Sequence, residues 1–165
     1  MSVVGALVVA AGAVWLGAAV RLSVIDLRTR TLPTRIIWST AAVVWGIYCA
    51  ASLAVSEPDA LIGAALGALA GSAPLAAIHL VHPPSMGAGD VRFSALNGLV
   101  CGWWGWQTAL IGLALAFCAA LPEAVVAMAR RGRNASRPLG PYLALGTVAA
   151  WVWGAATSGL APGAL

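Results

Sequence analysis

Residues 93–129 read FSALNGLVCGWWGWQTALIGLALAFCAALPEAVVAMA, and their only charged side chain is Glu123. How this stretch divides decides the fold. As one helix its 37 residues would extend about 55 Å at about 1.5 Å per residue, nearly twice the ~30 Å hydrocarbon core of a bilayer. A bend at GWWGW, residues 102–106, removes the mismatch, because glycine breaks a helix and tryptophan suits a membrane interface. Two helices result, the first of them short for a complete crossing.

Working outward, apolar runs occupy Val3–Val20, Ile36–Val55, Leu61–Val81 and Leu139–Leu160, each near the roughly 20 residues that a spanning helix needs. The expected fold is therefore all-α, a polytopic membrane protein with six transmembrane helices in one integral-membrane domain, residues 1–165. Composition agrees: 61% of residues are hydrophobic and 8% charged, against roughly 25% charged in soluble domains. Residues 1–20 carry no charged side chain, so the run at Val3–Val20 lacks the basic start of a secretory signal and reads as an uncleaved first helix.

The chain has no lysine, and its arginines are 21, 28, 30, 35, 92, 130, 131, 133 and 137. With six spans every arginine falls on one side, at the 1–2, 3–4 and 5–6 connections, while Glu57 and Asp59 fall opposite. The positive-inside rule makes the arginine side cytoplasmic and both termini extracytoplasmic. With five spans, Arg130 to Arg137 would lie outside. The formal charge of +4 then reflects topology and contact with the lipid bilayer, and no interleaved aromatic and basic surface points to nucleic acid.

Against this background the few acids stand out. Asp26 lies just past the cytoplasmic end of the first span, and Asp90, in GAGDVRF at 87–93, lies just before the fourth. The arginines alone put both at one face and one depth. Two carboxyls in close apposition leave one protonated and the other charged, and such a pair can activate water against a peptide bond. The glycines before Asp90 let a backbone approach without a Cβ in the way. The alternative is that each acid sits in a basic loop, Asp26 pairing with Arg28 or Arg30 and Asp90 with Arg92.

GAGDVRFSALNG, residues 87–98, resembles the G-x-G-D motif of the prepilin peptidases, the membrane aspartic peptidases of type IV pilus systems. Gly87, Gly89, Asp90 and Gly98 match, and Arg92 replaces the usual lysine. The following CGWWGWQ is similar to the family's apolar G-W-Q stretch. IDLRTRTLPTR, residues 25–35, resembles the segment bearing the other catalytic aspartate, with Thr34 in place of an asparagine after the proline. RPLGPYLALG, residues 137–146, is similar to a late P-x-G-P-x-L-A-x-G block. The resemblance implies Asp26 and Asp90 as the catalytic pair, and Gly87 and Gly89 as shapers of the second aspartate's loop. Arg92 would hold that loop or face lipid phosphate. Pro138, Gly140 and Pro141 would shape the start of span six.

The implied substrate is a prepilin-like protein, cut at the cytoplasmic face of the bacterial inner membrane between a basic leader and an apolar helix, with no metal or other cofactor. Residues 1–165 contain none of the paired CxxC motifs seen in larger members. The chain resembles the short, peptidase-only form of tight-adherence pilus systems, for which N-methyl transfer is not expected.

Other residues have plainer readings. Gly63, Gly67 and Gly71 form a small-xxx-small stripe for close helix packing. Cys49, Cys101 and Cys118 read as buried, inert thiols. His79 and His82 share a helix face without further ligands nearby, so they read as a hydrogen-bonded interfacial pair that could also tune the Asp90 loop. Ser85 and Ser94 have no evident general base. Glu123, within the fifth span, is excluded from the catalytic set, but it defines the main rival: a small proton-coupled transporter with Asp26, Asp90 and Glu123 as a relay. A non-catalytic partner in pilus or secretion assembly is the third reading.

Overall fold

The structure, a computed structural model, describes residues 2–83, 86–131 and 138–158. Ser85, Arg133, Arg137 and the last residues of the expected sixth span lie outside the described residues. Six helices follow in order: α1 Val3–Thr29, α2 Thr34–Val55, α3 Asp59–Val81, α4 Ala88–Gly102, α5 Trp106–Arg131 and α6 Gly140–Thr157. No strand occurs among the described residues. In an apolar solvent every backbone amide must be paired within the chain, and a helix does this locally.

Number and order of helices are as the sequence indicates. Four of them, α1, α2, α3 and the Trp106–Val126 part of α5, are long and apolar enough to cross a membrane. Helix α4 has 15 residues, about 22 Å of rise, and α6 has 18, about 27 Å. The first helix is longer than its apolar run: it continues past Val20 to Thr29 and ends where Arg30 takes a left-handed conformation and donates its N–H to the Asp26 carbonyl at 2.8 Å. Asp26 is thus a helical residue, not a loop residue.

The short α4 is the centre of the bundle and touches all five other helices. All but one of its residues from Phe93 to Gly102 are buried. Its approach to α3 is backbone on backbone. A Cβ added at Gly63 would lie 2.6 Å from the Gly102 carbonyl oxygen, one at Gly67 2.6 Å from Gly102 Cα, and one at Gly71 2.9 Å from the Ser94 carbonyl oxygen. The expected glycine stripe on α3 therefore meets a second stripe, Ser94, Gly98 and Gly102, four residues apart on α4. Gly98, which the sequence showed only as part of a motif, packs directly on Gly67 and Ala68.

Side-chain hydrogen bonds complete the seating of α4. Trp15 Nε1 donates to Asn97 Oδ1 at 2.9 Å, Tyr48 Oη to the Val100 carbonyl at 3.0 Å and Ser94 Oγ to the Gly71 carbonyl at 2.7 Å. These join α4 to α1, α2 and α3. Cys101 Sγ lies 3.7 Å from the Thr147 carbonyl of α6.

The α4–α5 turn lies at GWWGW, with Gly105 at φ 106°. Two of its tryptophans, however, face the protein: Trp103 is 1% exposed and Trp104 4%. Trp103 packs on Tyr48 with ring centroids 4.6 Å apart, and Trp104 meets Trp151 edge-on at 5.9 Å. Only Trp106 is exposed, as an interfacial residue would be. The cysteines also differ among themselves: Cys101 is buried, Cys49 half-buried and Cys118 exposed.

A valine at Gly67 must push α3 from α4 along their whole contact, so Gly67→Val is expected to lose at least about 2 kcal/mol of stability. By contrast, a Cβ at Gly17 or Gly46 meets nothing within 4 Å, and Gly17→Ala or Gly46→Ala should be neutral or gain up to about 1 kcal/mol from helix propensity. Thermal unfolding in detergent checks the contrast.

Candidate active site

The end of α1, the start of α4 and the start of α6 converge around two carboxyls. Asp26 projects from the last turn of α1 and is 4% exposed. Its Oδ2 accepts the backbone N–H of Gly140 at 2.9 Å. Gly140 is the first residue of α6, where helical N–H groups lack intrahelical acceptors and the helix dipole is positive. Asp26 therefore caps a helix 114 residues away. Burial disfavours its charge and the α6 amide favours it.

A side chain at position 140 would block this contact, since a Cβ there would lie 2.8 Å from Asp26 Oδ2. Gly140 does shape the start of α6, and it also contributes its amide to the candidate site. The sequence signal was present in the Gly-Pro step at 140–141, but nothing local named Asp26 as its partner.

Asp90 lies in the first turn of α4, after Gly87 at the N-cap position. Its carboxyl is pushed up to about 6, first by burial and then by the negative charge of Asp26; the Gly87 backbone N–H acts in the opposite direction. The two acids expected to act together are thus close enough to influence one another. Neither depends on the loop pairing considered as the alternative: Asp26 bonds to Gly140, and Arg92 Nη1 donates to Thr34 Oγ1 at 3.2 Å.

The expected loop around Asp90 is the N-terminal end of α4, with Gly87 at its N-cap position and Gly89 in its first turn, and the two glycines have separate steric reasons. A Cβ at Gly87 would lie 2.9 Å from Asp90 Oδ2, and one at Gly89 would lie 3.0 Å from Leu32 Cβ. Gly87 leaves room for the carboxyl itself, and Gly89 lets the α1–α2 connection press against the loop. His79 holds the loop from the other side: its Nδ1 lies 2.7 Å from the Met86 carbonyl, which can only accept, so Nδ1 carries the proton. His79 therefore positions the loop, and among the described residues no three His, Cys, Asp or Glu side chains gather as a metal site.

Glu123 Oε2 accepts the Tyr142 hydroxyl at an exposed position between α5 and α6. It ties those two helices two residues beyond Gly140.

The sequence profile of the type IV leader peptidase family matches residues 7–126. The chain belongs to that family. The match takes in both Asp26 and Asp90 and ends before Gly140, which the fold nonetheless brings to Asp26. No curated protein and no solved structure matches the chain. Within this leader peptidase, Thr34 and Arg92 are hydrogen-bonded to each other. The contact joins the first residue of α2 to α4.

Because the charge of Asp26 makes ionisation of Asp90 harder, Asp26→Asn should lower the Asp90 titration below its value of about 6. Carbon-13 NMR of aspartate carboxyls in the detergent-solubilised protein reads the change, and an unmoved Asp90 would show that the two do not communicate.

Proposed function

We propose that this leader peptidase is an aspartic endopeptidase that removes the basic leader from prepilin-like proteins at the cytoplasmic face of the bacterial inner membrane. Asp26 and Asp90 are its catalytic pair. The reading is carried by one observation: buried Asp26, at the end of α1, has its Oδ2 held by the Gly140 amide of α6, beside an α4 whose first turn presents Asp90, and neighbouring carboxyls of this kind suit acid–base work on water.

Asp26, ionised and held by the α6 amide, takes a proton from water as the water oxygen adds to the scissile carbonyl carbon. Asp90, protonated, donates a hydrogen bond and then its proton to the carbonyl oxygen. The resulting tetrahedral diol collapses as Asp26 returns its proton to the leaving nitrogen and a hydroxyl proton passes back to Asp90. The carbon–nitrogen bond breaks, and both carboxyls end as they began. Water attacks directly, so no acyl-enzyme forms. Gly87, Gly89, Arg92 and His79 keep the Asp90-bearing start of α4 in place.

The position of Asp26 fits a substrate cut just outside an apolar helix. Arg21 is the first charged residue of α1, and Asp26 lies five residues beyond it, about 7 Å along the axis. Six membrane crossings with both termini extracytoplasmic place that edge in the cytoplasm, and α4 can complete its crossing while short because protein rather than lipid surrounds it. A transporter relay finds less support, since Glu123 is exposed and engaged with Tyr142.

Asp26→Asn and Asp90→Asn should each lower cleavage of a cognate prepilin by at least about a thousandfold, in line with loss of a general acid or base, while the variants still insert. Normal processing by either would sink the mechanism. For the unmodified enzyme, kcat/KM should fall about tenfold per pH unit above an apparent value near 6 that belongs to the pair, because Asp90 then loses the required proton. A profile flat to pH 9 would contradict Asp90 as the acid.

A further inference from the structure

The contact of Asp26 with Gly140 is one end of a longer seam between α1 and α6. Further along, a Cβ at Gly12 would lie 3.2 Å from Trp151 Cζ2. Moving back along α1 from Asp26 to Gly12 therefore corresponds to moving forward along α6 from Gly140 to Trp151, so the helices are antiparallel. Trp15 precedes Asp26 by eleven residues, and Trp151 follows Gly140 by eleven. Eleven residues make about three turns and about 16 Å, and return a helix to nearly the same face.

At that distance the seam opens into a groove of about 280 Å³, lined among others by Val9, Gly12, Ala13, Leu16, Val148 and Trp151. Its walls are apolar throughout. Gly12 and Ala13 withdraw the α1 wall, while large aliphatic side chains such as Val14, Val20 and Leu145 project from the same two helices nearby.

We propose that this groove seats the apolar helix of the substrate, receiving side chains about three turns beyond the cleaved bond. The proposal rests on the reading of Asp26 and Asp90 as the peptidase site. Continuity identifies the occupant: the two helices that form the groove also supply Asp26 and the amide that holds it. A polypeptide that reaches both places must present its scissile bond at the membrane edge and an apolar segment inside the bilayer. That segment must be helical, because the groove offers no polar partner for an extended backbone. Charge points the same way. The enzyme's edge carries Arg28 and Arg30, which repel a basic leader, so binding energy has to come from the buried part of the substrate.

The test uses the full chain in phosphatidylethanolamine–phosphatidylglycerol vesicles. The probe is a prepilin-like peptide with a basic leader and an apolar helix of about 20 residues. With p-benzoylphenylalanine in place of Leu16, a groove residue that is already large, and Asp90→Asn to prevent turnover, light should attach the enzyme to the probe about 10 to 12 residues after the scissile bond, three turns along. Attachment to lipid alone, or to the probe without a preferred position, overturns the proposal.

In the active enzyme, Ala13→Trp should raise KM for the probe about tenfold and leave kcat within about twofold, the signature of lost ground-state binding. The matched change Leu69→Trp, on the exposed face of α3, should move neither. An unchanged KM in Ala13→Trp overturns the proposal. Position-specific attachment with no cleavage by the unmodified enzyme would remove the peptidase reading and support the groove. Cleavage with attachment to lipid alone would do the reverse.

Discussion

The structure depends on how closely two backbones can approach. Helices α3 and α4 meet through Gly63, Gly67 and Gly71 on one side and Ser94, Gly98 and Gly102 on the other, with no room for a Cβ at the glycines. That approach draws a 15-residue helix into the middle of the bundle, where it touches every other helix. Lipid tails are as apolar as leucine, so apolar burial gives helices little reason to associate within a bilayer; close van der Waals packing and interhelical hydrogen bonds supply it. Trp15, Tyr48 and Ser94 add those hydrogen bonds at three faces of α4.

The site inherits its geometry from this packing. Asp90 is at the first turn of α4, so whatever seats α4 also sets the height and direction of Asp90. His79 at the end of α3 and Leu32 before α2 press on the loop from two sides, through the Met86 carbonyl and Gly89. Asp26 is placed independently, by a first helix that runs on past its apolar segment and by the α6 amide. A carboxylate serving as the cap of a distant helix is held in orientation by that helix, with no need for a counter-ion. Arginine is left for other contacts, as Arg92 with Thr34 shows.

Much of this was legible beforehand, and the particular residues show why. Hydropathy located six helices and the turn at 102–106, and the fold has both, with four of the helices long and apolar enough to cross a membrane. The G-x-G-D pattern drew attention to Asp90, and the family match over residues 7–126 agrees with that resemblance. The end of α1 was misplaced because apolarity stops at Val20, whereas helix formation does not: Arg21, Leu22 and Leu27 are good helix formers. Trp103 and Trp104 were expected at an interface on composition, but Tyr48 and Trp151 offer them ring contacts inside.

The amino-acid sequence by itself determined that this chain forms apolar helices, where they turn, and which acids are rare enough to notice, because helix formation and membrane preference are properties of neighbouring residues. Only the tertiary structure decided that Asp26 meets the amide of Gly140, that its charge is felt by Asp90, and that Gly67 needs Gly98. Those relations join residues 31 to 114 positions apart, and no local pattern encodes which distant backbone will supply a donor or leave a gap. Desolvation and close contact exist only once the helices are packed.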